Sequence, residues 1–190
     1  MKISTGNTKL GNIPNISLIP IKDCANCEHC MADCYALKAW KQYPATRKAW
    51  TENSKAFRSD PIRAIHEVDE WLLSKRKPVE YFRIHASGDF LSQQIVDLWT
   101  GICEVNPSTK FLAFTKRHDL DFSRAPRNMQ IIFSQWPGMP DNAPLTARRA
   151  WLQDGTETRI PKSAFACNGS CVDCKVCFDS KKQNVVFDIH

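Results

Sequence analysis

Val79-Glu-Tyr-Phe-Arg-Ile-His-Ala86 reads as a β-strand, and the pattern downstream of it decides the fold. Leu91–Val105 is an amphipathic helix with Ile95, Leu98, Trp99 and Ile102 on one side. Lys110-Phe-Leu-Ala-Phe-Thr115 is a second strand. Strand, helix and strand within about 35 residues make a βαβ unit, whose strands run parallel. After a loop over 116–129, Gln130–Ser134 reads as a third strand. The class predicted is α/β, a small mostly parallel sheet with flanking helices.

Upstream, Asp60-Pro61 is a helix start, a carboxylate N-cap followed by proline at the first helical position. That helix runs to about Lys75, with Ile62, Ile65, Val68, Leu72 and Leu73 at a 3.6-residue period and Asp69 as the polar exception. Two shorter helical patterns precede it. Tyr35–Gln42 ends near Pro44, and Ala45–Arg58 offers Ala49, Trp50, Ala56 and Phe57 as inward positions. Residues 1–23 carry Gly6, Gly11, Pro14 and Pro20 and read as loop with one short strand near Ile16–Ile19. Downstream, a helix is expected around 145–153 and a strand at Val185–Ile189.

The three central strands end in polar residues. They are His85-Ala-Ser87-Gly88-Asp89, Thr115-Lys116-Arg117-His118 and Ser134-Gln135-Trp136. Ligands of parallel α/β folds bind outside the carboxyl ends of the strands. His85, Ser87, Asp89 and His118 are therefore candidates for proton handling, with Lys116, Arg117, Gln135 and Trp136 as candidates for binding an anionic substrate. Gly88 would let a ligand approach the backbone. The plainer reading makes Asp89 a helix cap and His85 a core histidine.

The chain has 190 residues, 43% hydrophobic and 24% charged, which fits one soluble domain over residues 1–190. Its start lacks a signal-peptide pattern and no segment suits a membrane span, so a cytoplasmic location is expected. Nine cysteines in such a chain point to metal rather than disulfides. Cys24, Cys27, Cys30 and Cys34 are spaced C-x2-C-x2-C-x3-C, and Cys167, Cys171, Cys174 and Cys177 are spaced C-x3-C-x2-C-x2-C, the first spacing read backwards. The first is the spacing of bacterial ferredoxin motifs. Structural zinc sites usually split their ligands into two separated pairs, so one or two [4Fe–4S] clusters are favoured over zinc. Cys167, Cys171 and Cys174 also match the spacing of radical S-adenosylmethionine enzymes, although Cys177 could close the open iron site. Cys103, in a helical stretch, reads as a buried small hydrophobe.

The formal charge is +6. Two thiolate-bound clusters at about −2 each would lower it to about +2, so the charge alone says little about nucleic acid. The basic residues nevertheless cluster, at Lys75-Arg76-Lys77, Lys116-Arg117, Arg124 with Arg127, Arg148-Arg149 and Lys181-Lys182.

Asn7-Thr8-Lys9-Leu10-Gly11 with Ile16-Ser17-Leu18, Cys30 with Cys34-Tyr35-Ala36, Arg83-Ile-His-Ala-Ser-Gly-Asp-Phe90 and the run Cys171–Cys177 together resemble the phage gene-product-eighty-eight family, a distantly radical-SAM-like group. The resemblance implies a phage-encoded iron–sulfur protein, located in the host cytosol, with a partial-barrel-like α/β fold. The expected function is a [4Fe–4S]-dependent enzyme acting on a small anionic or nucleotide-like substrate, with an electron donor as partner. The alternative is a metal-stabilised module that binds nucleic acid or a host protein.

Overall fold

The structure, a computed structural model, describes residues 1–7, 9–179 and 183–189. The chain opens with a hairpin of β1 (Ser4–Asn7) and β2 (Gly11–Asn15). It then passes through α1 (Tyr35–Gln42), α2 (Pro44–Ser59) and α3 (Pro61–Leu73) before β3 (Tyr81–Ile84). Next come α4 (Gln93–Val105), β4 (Lys110–Thr115), β5 (Met129–Gln135) and β6 (Arg148–Gln153). The end is built from β7 (Phe165–Ala166), α5 (Val176–Asp179) and β8 (Val185–Asp188). These strands join one sheet in the order β1-β2-β3-β4-β5-β6-β8-β7. Among the described residues only β1 and β2 pair antiparallel; the other neighbours are parallel. The sheet is wider than the small one expected, because the glycine- and proline-rich start forms a hairpin and the region around 145–153 forms a strand.

The βαβ unit is as predicted, with Tyr81 opposite Lys110 and Ile84 opposite Ala113 across parallel β3 and β4. Period-two alternation sorts its side chains onto two faces. Phe82, Ile84, Phe111, Ala113 and Met129 face α2, α3 and α4, where they meet Phe57, Ile65, Val68, Ile95 and Trp99. Tyr81, Leu112, Phe114 and Ile132 face the other way, toward Leu10, Ile13, Phe178 and Phe187. Cys103 lies wholly buried among the first group, as expected of a small hydrophobe.

Capping sets the helix boundaries. The Asp60 carboxylate accepts from Arg63 N at 3.0 Å, and Pro61 opens α3. Ala64, Ile65, Val68 and Leu72 form its buried stripe, whereas Ile62 and Leu73, expected inward, lie at the stripe's edges and are 61% and 71% exposed. On α2 the buried positions are Asn53, Ser54 and Phe57. Asn53 belongs there because its amide meets Lys2 N, Lys2 O and Ser17 O at 2.8, 2.9 and 3.1 Å, which satisfies its polar atoms inside the fold.

The short strand expected at Ile16–Ile19 is instead β2, ending at Asn15, with a hydrogen-bonded extension. Ile16 N donates to Arg83 O at 3.2 Å, Ala86 N to Ile16 O at 3.0 Å and Leu18 N to Ser87 O at 2.8 Å. The helix expected around 145–153 is replaced by β6. Its two arginines, a helix-surface pattern in sequence, are both buried and fully engaged. Arg148 donates to Gln183 O at 3.0 Å, Cys177 O at 3.0 Å and Gln130 Oε1 at 3.2 Å. Arg149 donates to Asp141 Oδ2 and to Ala147 O, both at 2.7 Å.

Candidate functional site

The carboxyl ends of β3, β4 and β5 are neighbours, as predicted, but their polar residues have different occupations. His85 takes a left-handed backbone conformation, φ 46°, which breaks the alternation of β3 and turns its ring to the helix side. There it stands edge-on to Phe57, Phe90 and Trp99 at 5.6, 5.2 and 5.9 Å. It is 2% exposed, and neither ring nitrogen has a hydrogen-bond partner among the described residues. Burial, with the nearby Arg83 guanidinium adding to it, pushes its pKa down to about 3, so the imidazole is neutral. Ser87 is buried and its hydroxyl is likewise unpartnered among the described residues. Gly88, expected to admit a ligand, instead admits Leu18. Its φ is +79°, and a Cβ there would lie 2.6 Å from Leu18 Cβ.

Asp89 is a buried strap between strand ends. Its carboxylate accepts from Phe90 N at 2.8 Å, Thr115 Oγ1 at 2.6 Å and Lys116 N at 2.8 Å. Burial raises its pKa against the pull of these donors. Its own N–H donates to Asp23 O at 2.7 Å, just before the first cysteine loop. Asp23 is buried too, held by Ile19 N at 2.9 Å and Arg58 Nε at 3.0 Å.

The residues expected to hold a substrate are largely committed within the chain. Arg117 pairs bidentately with Asp119 at 2.8 and 2.7 Å and donates to Phe90 O at 2.7 Å. Gln135, fully buried, gives its amide to Asp141 at 2.7 Å. His118 accepts from Asn142 N at 3.3 Å, stands edge-on to Phe133, and has its pKa lowered chiefly by burial. Arg117, His118, Asp119, Asn142, Ala25 and Asn26 line a recess of 420 Å³ beside the first cysteine loop. Lys116 turns into that loop. Burial opposes its charge, but Cys30, Asp89 and Cys24 outweigh it and raise its pKa, and Trp136 lies 5.6 Å from its ammonium.

The first cysteine loop docks on these strand ends through Asn26, whose amide donates to Lys116 O at 2.9 Å from a left-handed conformation. Cys30 is buried, and Cys34 caps α1 by accepting Leu37 N at 3.3 Å. Burial and repulsion from Cys30 and Cys24 push the Cys27 thiol up to about 12.

The second cysteine loop lies on the sheet face away from the large helices, with Cys171 and Cys177 against Leu112, Ile132 and Phe178. Cys171 N donates to Lys9 O at 2.7 Å in the β1–β2 turn. Gly11, φ +56°, lets Val172 in: a Cβ there would collide with Val172 Cγ2. Burial raises the pKa of Cys171 and lifts Cys177 to about 11. Between the two loops stands Arg83, absent from the sequence-based candidates. Its guanidinium lies 4.2 Å from the Phe114 ring, and its Nε is buried without a partner among the described residues. Burial lowers its pKa; Tyr35, Cys177 and Cys171 oppose that, in descending order. Tyr35, next to Cys34, donates its hydroxyl to Ala86 O at 2.6 Å. A cation at an outward position of an otherwise apolar strand was the signal available in sequence.

Among the described residues, no group of three or more His, Cys, Asp or Glu side chains is gathered as a metal site. The donor chemistry nonetheless suits a thiolate-bound centre, with four thiols in each loop and the half-buried cations Arg83 and Lys116 beside them. Among the described residues, no helix is long and apolar enough to cross a membrane. Of the basic clusters, Lys181-Lys182 lies outside the described residues.

A family model described as Gene product 88 matches residues 1–149, which takes in the first cysteine loop, Arg83, Asp89 and Lys116 and stops short of the second loop. No curated protein and no solved structure matches the chain.

Proposed function

The chain belongs to the Gene product 88 family of phage proteins, and from that premise we propose that it is an iron–sulfur protein whose cysteine loops hold [4Fe–4S] clusters. The observation that carries this reading is the pair of partly desolvated cations, Arg83 and Lys116, set beside thiols of the two loops: Tyr35, Cys177 and Cys171 face Arg83, and Cys30, Asp89 and Cys24 face Lys116. A buried cation is costly unless an anion answers it. Thiolate-bound clusters are net anionic and would answer both. The first loop would use Cys24, Cys27, Cys30 and Cys34, and the second Cys167, Cys171, Cys174 and Cys177. Each quartet has four thiols to close its own centre, so S-adenosylmethionine has no part in the proposal.

The reading extends to an enzyme of the partial-barrel-like class acting on a small anionic substrate. Its substrate would lie in the recess lined by Asn26, Arg117 and His118, within reach of the first cluster. There the cluster, closed by four thiolates, would supply electrons. His118 would exchange protons, and Asp89 would position Lys116 rather than touch the substrate. Metal and acid-labile sulfide analysis of anaerobically purified protein tests the proposal. About four or about eight irons, with equal sulfide, support one or two cubanes. Zinc without sulfide, or no metal, overturns it.

A further inference from the structure

A groove at the opposite pole from the carboxyl ends of the strands lies apart from the recess proposed for the substrate and borders the second cysteine loop. It encloses 840 Å³ between the β1–β2 hairpin, the segment Lys75–Tyr81 and the second cysteine loop. Its walls carry four cations, Lys75, Arg76, Lys77 and Lys175, against one carboxylate, Glu80. None of the four joins an ion pair among the described residues, whereas nearby Lys110 is paired with Asp179. Two rest on aromatic rings instead. Lys75 Nζ lies 3.9 Å from the Trp71 ring centre, and Lys175 Nζ lies 4.9 Å from that of Tyr81. Those contacts hold the charges at the groove wall without neutralising them.

We propose that this groove binds single-stranded nucleic acid, the cations taking the phosphates while the rings of Trp71 and Tyr81 hold Lys75 and Lys175 at its wall. Unspent cations interleaved with aromatic rings in a concave track are the features of such sites. A duplex reads poorly here, because the groove is a recess rather than a projecting element that could enter a duplex groove. Lys75 and Lys77 are exposed, so reversing their charge leaves the core intact.

The test is fluorescence anisotropy of a labelled strand of about 15 nucleotides with the whole, anaerobically purified protein across a salt series. Four phosphate contacts predict a slope of log K against log salt of about −3. K75E/K77E is expected to weaken binding at least about tenfold and to flatten the slope by about half. K48E/K55E, the same charge change on exposed α2 positions, is the control and is expected to cost much less. Equal losses in both double variants, equal affinity for a duplex of the same length, or no binding at low salt would each overturn the proposal. Iron and sulfide content measured on the same samples separates this outcome from that of the iron–sulfur reading.

Discussion

At the scale of single residues, two buried titratable groups at the β3 end carry opposite consequences for pH. The folded pKa of His85 is about 3, below the ordinary value of 6.5. Between those values the unfolded chain binds a proton that the folded chain refuses. His85 therefore contributes stability that is present above about pH 6.5 and lost as the pH falls toward 3, on the order of 4–5 kcal/mol in all. Denaturant titrations from pH 7 to 4 should show it, and His85→Asn, which suits the left-handed backbone, should shrink the slope by about one proton. An unchanged slope would mean that His85 does not titrate with unfolding in this range. Asp89 differs: its raised folded pKa makes burial of the charge unfavourable, but three donors depend on it. Asp89→Asn turns an amide donor toward one of those donors. It is expected to cost about 2–3 kcal/mol in chemical denaturation. Retained stability with lost activity would instead make Asp89 a catalytic residue. These assignments mark a limit of sequence reading. The polar strand ends were legible as a group, but which of them faced a cavity and which faced Phe57 and Trp99 turned on one left-handed residue, which no side-chain pattern announces.

At the scale of elements, periodicity located what it could. α1, α3 and α4 stand where their patterns put them, and β4 stands where its short apolar run put it, buried on both faces. β6 did not, because Arg148 and Arg149 look like a solvated helix face until their backbone acceptors and Asp141 are in place. Long-range hydrogen bonding overrode a local pattern there. The β1–β2 hairpin was masked by its glycines and prolines for a related reason: Gly11 is needed not for the turn alone but for Val172 of a loop far away in sequence. Gly11→Ala should therefore loosen the second cysteine loop, seen as faster amide exchange at 167–177. The double change with Val172→Ala should recover part of the loss, a positive coupling in a double-mutant cycle. Simple additivity would mean the two do not meet. Gly88→Ala, pressed on Leu18 at a positive φ, has no such rescue and is expected to cost about 1–3 kcal/mol in thermal or chemical unfolding.

For the whole molecule, both cysteine quartets were plain in the spacing, and their separate placements were not. The first sits over the carboxyl ends of the strands. The second crosses the opposite face of the sheet, and Arg83 stands between them. The two proposed centres are independent in ligands and linked in charge. Cys171→Ser with Cys174→Ser should therefore halve iron and sulfide rather than abolish them, while Arg83→Met should hasten iron loss to a chelator from both. Loss of all iron in the double serine variant would point to a single shared centre. The hydrogen bond from Cys171 N to Lys9 O has a further consequence in the order of synthesis. The hairpin leaves the ribosome long before the segment that covers it has been made. Until Val172 emerges, the surface around Gly11 stays open, whatever the helices and central strands have already done. The second cysteine loop is therefore set in place late, on a sheet that is waiting for it. A nascent chain stalled before Val172 would present an uncovered hairpin, the kind of exposed feature by which incomplete products are told from finished ones.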